Sequence, residues 1–216
     1  MFVPKGSVIP VFIGLASISS AQLINGGFED PALSAGTYTN TGINGWTYAV
    51  GNPLGVWHNV IGDGYWLENA PEGNQIGYTN GSSISQVSGT LWGVGENKLE
   101  LYIGRRLDQL SGDLNVEWWA GGTASGGTFV GGNMVLSATF GIGGIPLGRF
   151  LGEQVTDILN SGNPNIGLPM GVRIVLVNGG QIDFDNVRLT SPVPEPASLC
   201  ALGIGALALL RRRRSR

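Results

Sequence analysis

Lys98-Leu99-Glu100-Leu101-Tyr102-Ile103, written KLELYI in one-letter code, alternates two sets of side chains position by position. Successive side chains of a β-strand point to opposite faces of a sheet, so residues 99, 101 and 103 would share one buried face. The same alternation recurs further along the chain, at Leu114, Val116 and Trp118 and at Val172, Ile174 and Leu176. The pattern therefore predicts strands that each bury one face.

Turn signals and further strand-like runs lie on both sides of these strands. Asn178-Gly179-Gly180 separates the runs 172–177 and 181–190 and predicts a β-hairpin, because Asn and Gly tolerate the positive φ values of such turns. Segment 149–159 fits either a short helix or a strand. The other predicted strands are 22–29, 46–50, 75–79, 83–87 and 133–140. Together they predict an all-β domain, a two-sheet antiparallel β-sandwich.

The N-terminal residues have the pattern of a signal peptide. Lys5 precedes an apolar run, Val8 to Ile18, and small residues follow at Ser19, Ser20 and Ala21. Cleavage is expected after Ala21, so the mature chain would begin at Gln22. We therefore expect a signal peptide at 1–21 and export through the Sec machinery.

The C-terminal residues combine a proline-bounded motif, a short apolar run and a basic end. A helix from Ala197 to Leu210 would be about 21 Å long, shorter than the roughly 30 Å hydrocarbon core of a bilayer. An ordinary tail anchor is the alternative to a sorting signal that is read and removed. The motif consists of Val193, Pro194, Glu195, Pro196, Ala197 and Ser198, and the basic end contains Arg211, Arg212, Arg213 and Arg214.

These features resemble the PEP-CTERM sorting signal of exopolysaccharide-producing Gram-negative bacteria. The resemblance implies recognition by a membrane-embedded exosortase at 193–216, with transient association of the C-terminal transmembrane helix with the inner membrane. It also implies a destination in the cell envelope, on the outer surface or in the extracellular matrix. The body, 22–192, would be a single β-sandwich domain.

Composition limits what this body can bind and how it is stabilised. It carries six basic and fourteen acidic residues, and an acidic body is a poor nucleic-acid binder. The single cysteine, Cys200, lies in the tail, so the body can form no internal disulfide. We expect its stability to come from its core or from a metal ion.

The residues of the body argue against enzymatic activity. His58 is the only histidine, and no G-x-S-x-G nucleophile motif accompanies it. One histidine is also too few for a typical catalytic zinc site. A pair of carboxylates acting as in a glycoside hydrolase is the remaining catalytic alternative. We therefore predict that the protein is not an enzyme.

The body resembles the galactose-binding-like jelly rolls found in many carbohydrate-binding modules. The motifs are Leu23-Ile24-Asn25-Gly26-Gly27-Phe28-Glu29, Gly45-Trp46 and Phe184-Asp185-Asn186-Val187-Arg188-Leu189. The resemblance implies a structural Ca²⁺ held by Glu29 and Asp185, with help from the Glu72 region.

Strand alternation adds an independent expectation for Asp185. It places this carboxylate on the inward face with Val187 and Leu189, where a cation with oxygen ligands would relieve the cost of its burial. In the alternative, Asp185 caps a turn or pairs with Arg188 or Arg173.

Aromatic residues in the loop-like stretch 51–74 are the candidates for ligand binding. They are Trp57, Tyr65 and Trp66, with His58 nearby. Exposed aromatic faces beside polar groups can stack on a sugar ring and bind its hydroxyls. In the alternative, these rings pack over the end of the sandwich.

The sequence thus predicts a secreted, non-catalytic protein that binds glycan or matrix. A purely structural matrix component and a glycoside hydrolase are its rivals.

Overall fold

The computed structural model describes residues 22–109 and 111–192, all of which belong to one compact unit. These residues form twelve strands and one short 3-10 helix, Ile142–Gly144. The strands are β1 Thr47–Tyr48, β2 Leu54–His58, β3 Gln75–Thr79, β4 Ser83–Leu91, β5 Gly95–Arg105, β6 Gly112–Ala120, β7 Thr123–Ser125, β8 Thr128–Val130, β9 Asn133–Gly141, β10 Arg149–Leu159, β11 Pro169–Gly179 and β12 Ile182–Thr190.

The strands build two five-stranded antiparallel sheets and a small hairpin. The first sheet has the order β1-β4-β11-β6-β9, and the second has the order β10-β5-β12-β3-β2. Strands β7 and β8 pair with each other in a separate two-stranded sheet. The predicted all-β, two-sheet antiparallel sandwich is confirmed.

The core lies between the sheets and is supplied by the alternating strands. Leu99, Leu101 and Ile103 of β5 are buried, as are Leu114, Val116 and Trp118 of β6 and Val172, Ile174 and Leu176 of β11. Both sheets therefore bury the face that the period-two pattern predicts. Segment 149–159, for which the sequence allowed a short helix or a strand, is a strand that pairs with β5 over its whole length.

The predicted hairpin at 178–180 is wrong. Strands β11 and β12 follow each other in sequence but lie in different sheets, so the chain crosses the sandwich at this turn. Strand β11 pairs instead with β4 and β6. Asn and Gly permit the tight turn, but the pairing of each strand is decided by partners elsewhere in the chain.

The predicted strand at 22–29 is also wrong, and that at 46–50 is reduced to β1. Asn25 and Phe28 have positive φ angles of 54° and 56°, which are incompatible with extended backbone. Phe28 is completely buried and packs edge-to-face on Phe184, with ring centroids 5.1 Å apart. The segment thus contributes to the core as a folded turn.

A β-bulge in β12 overturns the predicted facing of Asp185. The pairing of β12 with β5 shifts between Asp185 and Arg188, and Asn186 has a φ of 53°. Val187 therefore joins Phe184 in the core. Asp185 lies on the opposite face, where the backbone N–H of Glu72 donates to its Oδ2 atom at 2.8 Å.

Two predictions fall on the ends of the chain: the signal peptide, with its cleavage site at Ser19, Ala21 and Gln22, and the sorting motif. Of these residues, only Gln22 belongs to the part of the chain that the structure describes. Within 22–109 and 111–192, no helix is both long and apolar enough to cross a bilayer.

Candidate functional site

A cavity of about 390 Å³ opens at the second sheet, on the face turned away from the main core. Four aromatic side chains, three amide side chains and one arginine line it. The lining residues are Gly36, Tyr38, Asn40, Pro53, Trp57, Tyr65, Tyr78, Asn80, Arg106 and Gln181. Such a mixture of aromatic walls and a few polar groups is typical of small-molecule sites.

Strand register brings the floor of this site together. Tyr78 of β3 lies opposite Gly55 of β2 and Asp183 of β12. Trp57 lies opposite Ile76, so Trp57, Tyr78 and Asp183 project from one face. Gly55 leaves room for the neighbouring segment, since a Cβ atom there would lie 2.2 Å from the carbonyl oxygen of Thr39.

That neighbouring segment places Tyr38 at the cavity. The backbone N–H of Thr39 donates to the carbonyl of Val56 at 2.8 Å, and the Tyr78 hydroxyl donates to the carbonyl of Thr39 at 2.5 Å. Burial, together with Tyr38 and Asp183, raises the pKa of Tyr78 to about 12. Tyr78 is therefore a neutral hydroxyl at physiological pH.

The loop after β2 supplies Tyr65 and covers part of the sheet. Asp63 Oδ1 accepts hydrogen bonds from the backbone N–H groups of Tyr65 and Trp66, at 2.8 and 3.2 Å. The backbone N–H of Leu107 donates to the carbonyl of Tyr65 at 3.0 Å. Tyr65 then meets Trp57 edge-to-face, with centroids 5.1 Å apart, and forms a corner of the cavity.

Arg106 fills this corner. Its guanidinium carbon lies 4.2 Å from the centre of the Tyr65 ring and 5.0 Å from that of Trp57. Its Nε and Nη2 atoms donate to the two carboxylate oxygens of Asp108, at 2.9 and 2.6 Å. Its Nη1 atom donates to Oε1 of Gln181 at 2.8 Å. The cation is thus held by a bidentate ion pair and one further hydrogen bond.

Asp183 lies beneath the cavity lining and is completely buried. Gln181 Nε2 donates to its Oδ1 atom at 2.7 Å. Its Oδ2 atom has no hydrogen-bond partner among the described residues. Burial raises the pKa of Asp183 to about 7, although the Gln181 hydrogen bond and the Arg106 charge act in the opposite direction. Burial therefore favours the protonated form of this carboxyl.

The four residues predicted for ligand binding separate into two pairs. Trp57 and Tyr65 line the cavity. Trp66 is completely buried and stacks on Phe150, and His58 is bound through Nδ1 to the carbonyl of Leu33 at 2.8 Å. Trp66 and His58 therefore lie outside the cavity lining.

Three predicted metal ligands lie near one another on the same side of the sandwich. Glu29 Oε1 accepts from the backbone N–H groups of Asn74 and Gln75, both at 2.8 Å. Burial, with the charges of Glu72 and Glu29, raises the pKa of Asp185 to about 8. Among the described residues, no group of three or more His, Cys, Asp and Glu side chains is placed to hold a metal ion.

Sequence reasoning missed three residues of the site, Arg106, Gln181 and Asp183. They lie far apart in the chain from Trp57 and Tyr65, and none was predicted as a site residue, although the segment 103–108 that contains Arg106 resembles a segment of other proteins with this sorting tail. In the sequence of β12, Asp183 alternates with Ile182 and Phe184 like an ordinary outward-facing polar residue, so no local signal marked it as buried.

Comparisons with known proteins give this arrangement a family context. Residues 19–190 match the family HpiC1-like, described as HpiC1 cyclase. Residues 192–214 match the PEP-CTERM protein-sorting motif, which confirms the predicted sorting signal. No curated protein matches this chain significantly.

Solved structures of cyclases share the fold. The Stig cyclase Fisc from Fischerella sp. TAU, in complex with (3Z)-3-(1-methyl-2-pyrrolidinylidene)-3H-indole, is 24% identical with a TM-score of 0.62, covering 76% of this chain and 93% of its own. A Fischerella sp. TAU cyclase in complex with 4-(1H-indol-3-yl)butan-2-one is 24% identical with a TM-score of 0.61, covering 80% and 96%. An apo cyclase from Fischerella sp. is 22% identical with a TM-score of 0.62, covering 82% and 100%.

The prediction that the protein is not an enzyme is wrong, because the family that matches nearly the whole body is a family of cyclases. The absence of a histidine–nucleophile pair and of a zinc motif led to that prediction.

Proposed function

Because the chain belongs to the HpiC1-like cyclase family, we propose that its body is a cyclase whose active site is the aromatic cavity. The observation that carries the proposal is Asp183, a completely buried carboxyl that contacts two residues of the cavity lining, Gln181 by a hydrogen bond and Tyr78 by strand pairing. A buried acid next to an apolar ligand site is suited to general acid catalysis.

The proposed reaction is an isomerisation that begins with a proton transfer. Asp183 gives its proton to a C=C or C=N bond of the substrate and becomes a carboxylate. A second π bond of the same molecule attacks the resulting cation and closes a ring. Loss of a proton from the cyclised cation restores the acid, so that substrate and product have the same composition.

The shape and lining of the cavity favour a planar aromatic substrate. Tyr38, Trp57, Tyr65 and Tyr78 supply aromatic walls, and ring-to-ring contact favours flat ligands. Two of the similar cyclase structures hold indole-type ligands. We therefore propose an indole with an unsaturated side chain as the substrate class.

Binding of 4-(1H-indol-3-yl)butan-2-one, measured by calorimetry, tests the site. Tyr65→Ala and Trp57→Ala should weaken binding, because each removes a wall of the cavity. The matched control is Tyr102→Ala, an exposed tyrosine of the same sheet that is not part of the lining. Equal affinity in all four proteins would contradict the proposed site.

Glycan binding is the second candidate for the same cavity. Asn40, Asn80 and Gln181 offer amide groups beside the aromatic rings, as a sugar site requires. Against it, the family that matches the body is one of cyclases. Competition between oligosaccharides and the indole ligand would separate the two candidates.

The sorting motif makes this an exported protein that is sorted to the surface or envelope of the cell. We propose that an exosortase processes it near Pro194-Glu195-Pro196 after Sec-dependent export, during transient association with the inner membrane. We further propose that its final location is the outer surface or the extracellular matrix.

A structural Ca²⁺ near Asp185 is also proposed. Glu29, Glu72 and Asp185 offer the hard oxygen atoms that calcium prefers. Burial of Asp185, together with the charges of Glu72 and Glu29, raises the pKa of Asp185, and a bound cation would lower it again. Backbone carbonyls would have to complete the coordination, since these side chains alone do not form a metal-holding group. The ion would fasten the N-terminal turn and β12 to the 70–74 loop.

A further inference from the structure

The wall of the cavity contains the guanidinium of Arg106, whose ion-pair partner Asp108 lies outside the lining. Arg106 is the single charged residue among the described residues that line it. Its guanidinium lies in the corner between Tyr65 and Trp57, at 4.2 and 5.0 Å from the two ring centres. A ligand that fills the cavity therefore lies beside this cation.

The surroundings of Arg106 hold it in this position. Only 14% of its side chain is exposed, and Asp108 and Gln181 together accept three hydrogen bonds from it. The side chain of Asp108 is 53% exposed and does not line the cavity. Water screens the charge of Asp108 more strongly than it screens that of the enclosed guanidinium.

We propose that Arg106 is a specificity-determining residue, which admits neutral, electron-rich planar rings to the cavity and excludes organic cations. A guanidinium is attracted to the face of an electron-rich ring. A second cation in the same cavity would be repelled by it, and such like-charge contact is unfavourable.

The inference rests on the proposed function and specifies the charge of its substrate. In that reaction the substrate arrives neutral and becomes charged only when Asp183 gives up its proton. Cation and carboxylate then form together, so the net charge around Arg106 does not change. A substrate that is already cationic lacks this compensation.

Two ligands with the same ring test the inference. They are 4-(1H-indol-3-yl)butan-2-one, which is neutral, and 2-(1H-indol-3-yl)ethanamine, which is cationic. Both are measured at pH 6, below the pKa of about 7 of Asp183, so that this neighbouring carboxyl carries its proton. Calorimetry with the full-length protein should show the amine binding about ten-fold more weakly, or worse. Arg106→Leu should abolish or reverse this preference. Arg106→Lys keeps the positive charge but loses the planar guanidinium. It should still exclude the amine but bind the neutral ligand less tightly.

Arg149→Leu is the matched control, because Arg149 is an exposed arginine outside the cavity that pairs with Glu68. It should leave both affinities unchanged. Equal binding of the two ligands by the wild type, or an unchanged preference in Arg106→Leu, would overturn the inference while leaving the cavity as the site. Binding of neither ligand would overturn the proposed function and this inference together. If Arg106→Leu fails to fold, the wild type and Arg106→Lys decide.

Discussion

The indole of Trp66 lies flat against the ring of Phe150, with centroids 4.5 Å apart and planes inclined by 10°. The contact belongs to a small apolar cluster, separate from the main core, that also contains Trp57, Ile76 and Tyr78. Two of its members, Trp57 and Tyr78, line the cavity, and Trp66 packs edge-to-face against Trp57 without lining it. Trp66 therefore serves the site through packing rather than through contact with a ligand.

The first prediction separates packing from binding. Trp66→Ala should lower the free energy of unfolding by about 3–5 kcal/mol, the cost of emptying a buried tryptophan site. Tyr65→Ala, at a partly exposed residue, should cost clearly less but weaken indole binding. Urea denaturation and calorimetry measure the two effects. Trp66→Ala with wild-type stability would contradict the assigned role.

The second prediction concerns the dependence of stability on pH. The folded protein holds a proton on Asp183 up to about pH 7, whereas the unfolded chain loses it near the ordinary value of 3.8. The folded state thus binds more protons between these values, so the free energy of unfolding falls as pH rises from about 4 to 7. A pKa shift of this size corresponds to a change of roughly 4 kcal/mol in the free energy of unfolding across this pH range.

Asp183→Asn should reduce this fall, because the amide does not titrate. The raised pKa of Asp185 also lowers the free energy of unfolding as pH rises, up to about pH 8. Part of the pH dependence of stability should therefore persist in the variant. Urea midpoints at pH 5 and pH 8, in calcium-free buffer, measure it. An equally steep fall in the variant would show that Asp183 titrates normally.

The third prediction tests the calcium proposal. Calcium at 100 times its dissociation constant would stabilise the protein by about 2.7 kcal/mol. The melting temperature should therefore rise on adding millimolar calcium and fall again with a chelator. Asp185→Asn should abolish the response, whereas Asp113→Asn, in the other sheet, should keep it. If the melting temperature of the metal-stripped wild type is the same with and without calcium, the site is absent.

The fourth prediction concerns sorting. Pro194→Ala combined with Glu195→Ala should leave uncleaved precursor in the inner membrane, because the exosortase no longer recognises its motif. Fractionation and mass spectrometry of the exported form would show this. Normal export and maturation of the double variant would contradict exosortase processing at this motif.

Local patterns in the sequence were enough to predict the core. Leu99, Leu101 and Ile103 face inward because a strand alternates its side chains, which depends on neighbouring residues alone. The hairpin at 178–180 failed for the opposite reason. Strands β11 and β12 lie in different sheets because β11 pairs with β4 and β6 and β12 pairs with β5. These partner strands lie far away in sequence.

The site was predictable only in part. Trp57 and Tyr65 were predicted to bind a ligand because they are aromatic residues near polar ones, and both line the cavity. Their partners Arg106 and Asp183 reach the site through strand register and a loop turn, which no local pattern records. The bulge at Asn186 likewise moved Asp185 to the other face through a single left-handed residue.

The most direct test of the central claim is the turnover of indoles with unsaturated side chains by the wild type and by Asp183→Asn. The wild type should convert a substrate into a cyclised product of the same mass. Asp183→Asn should bind the indole ligand normally but lose about a hundred-fold or more in rate, the usual contribution of a general acid. Equal rates in the two proteins, or a wild type that binds these indoles without forming any cyclised isomer, would contradict the account.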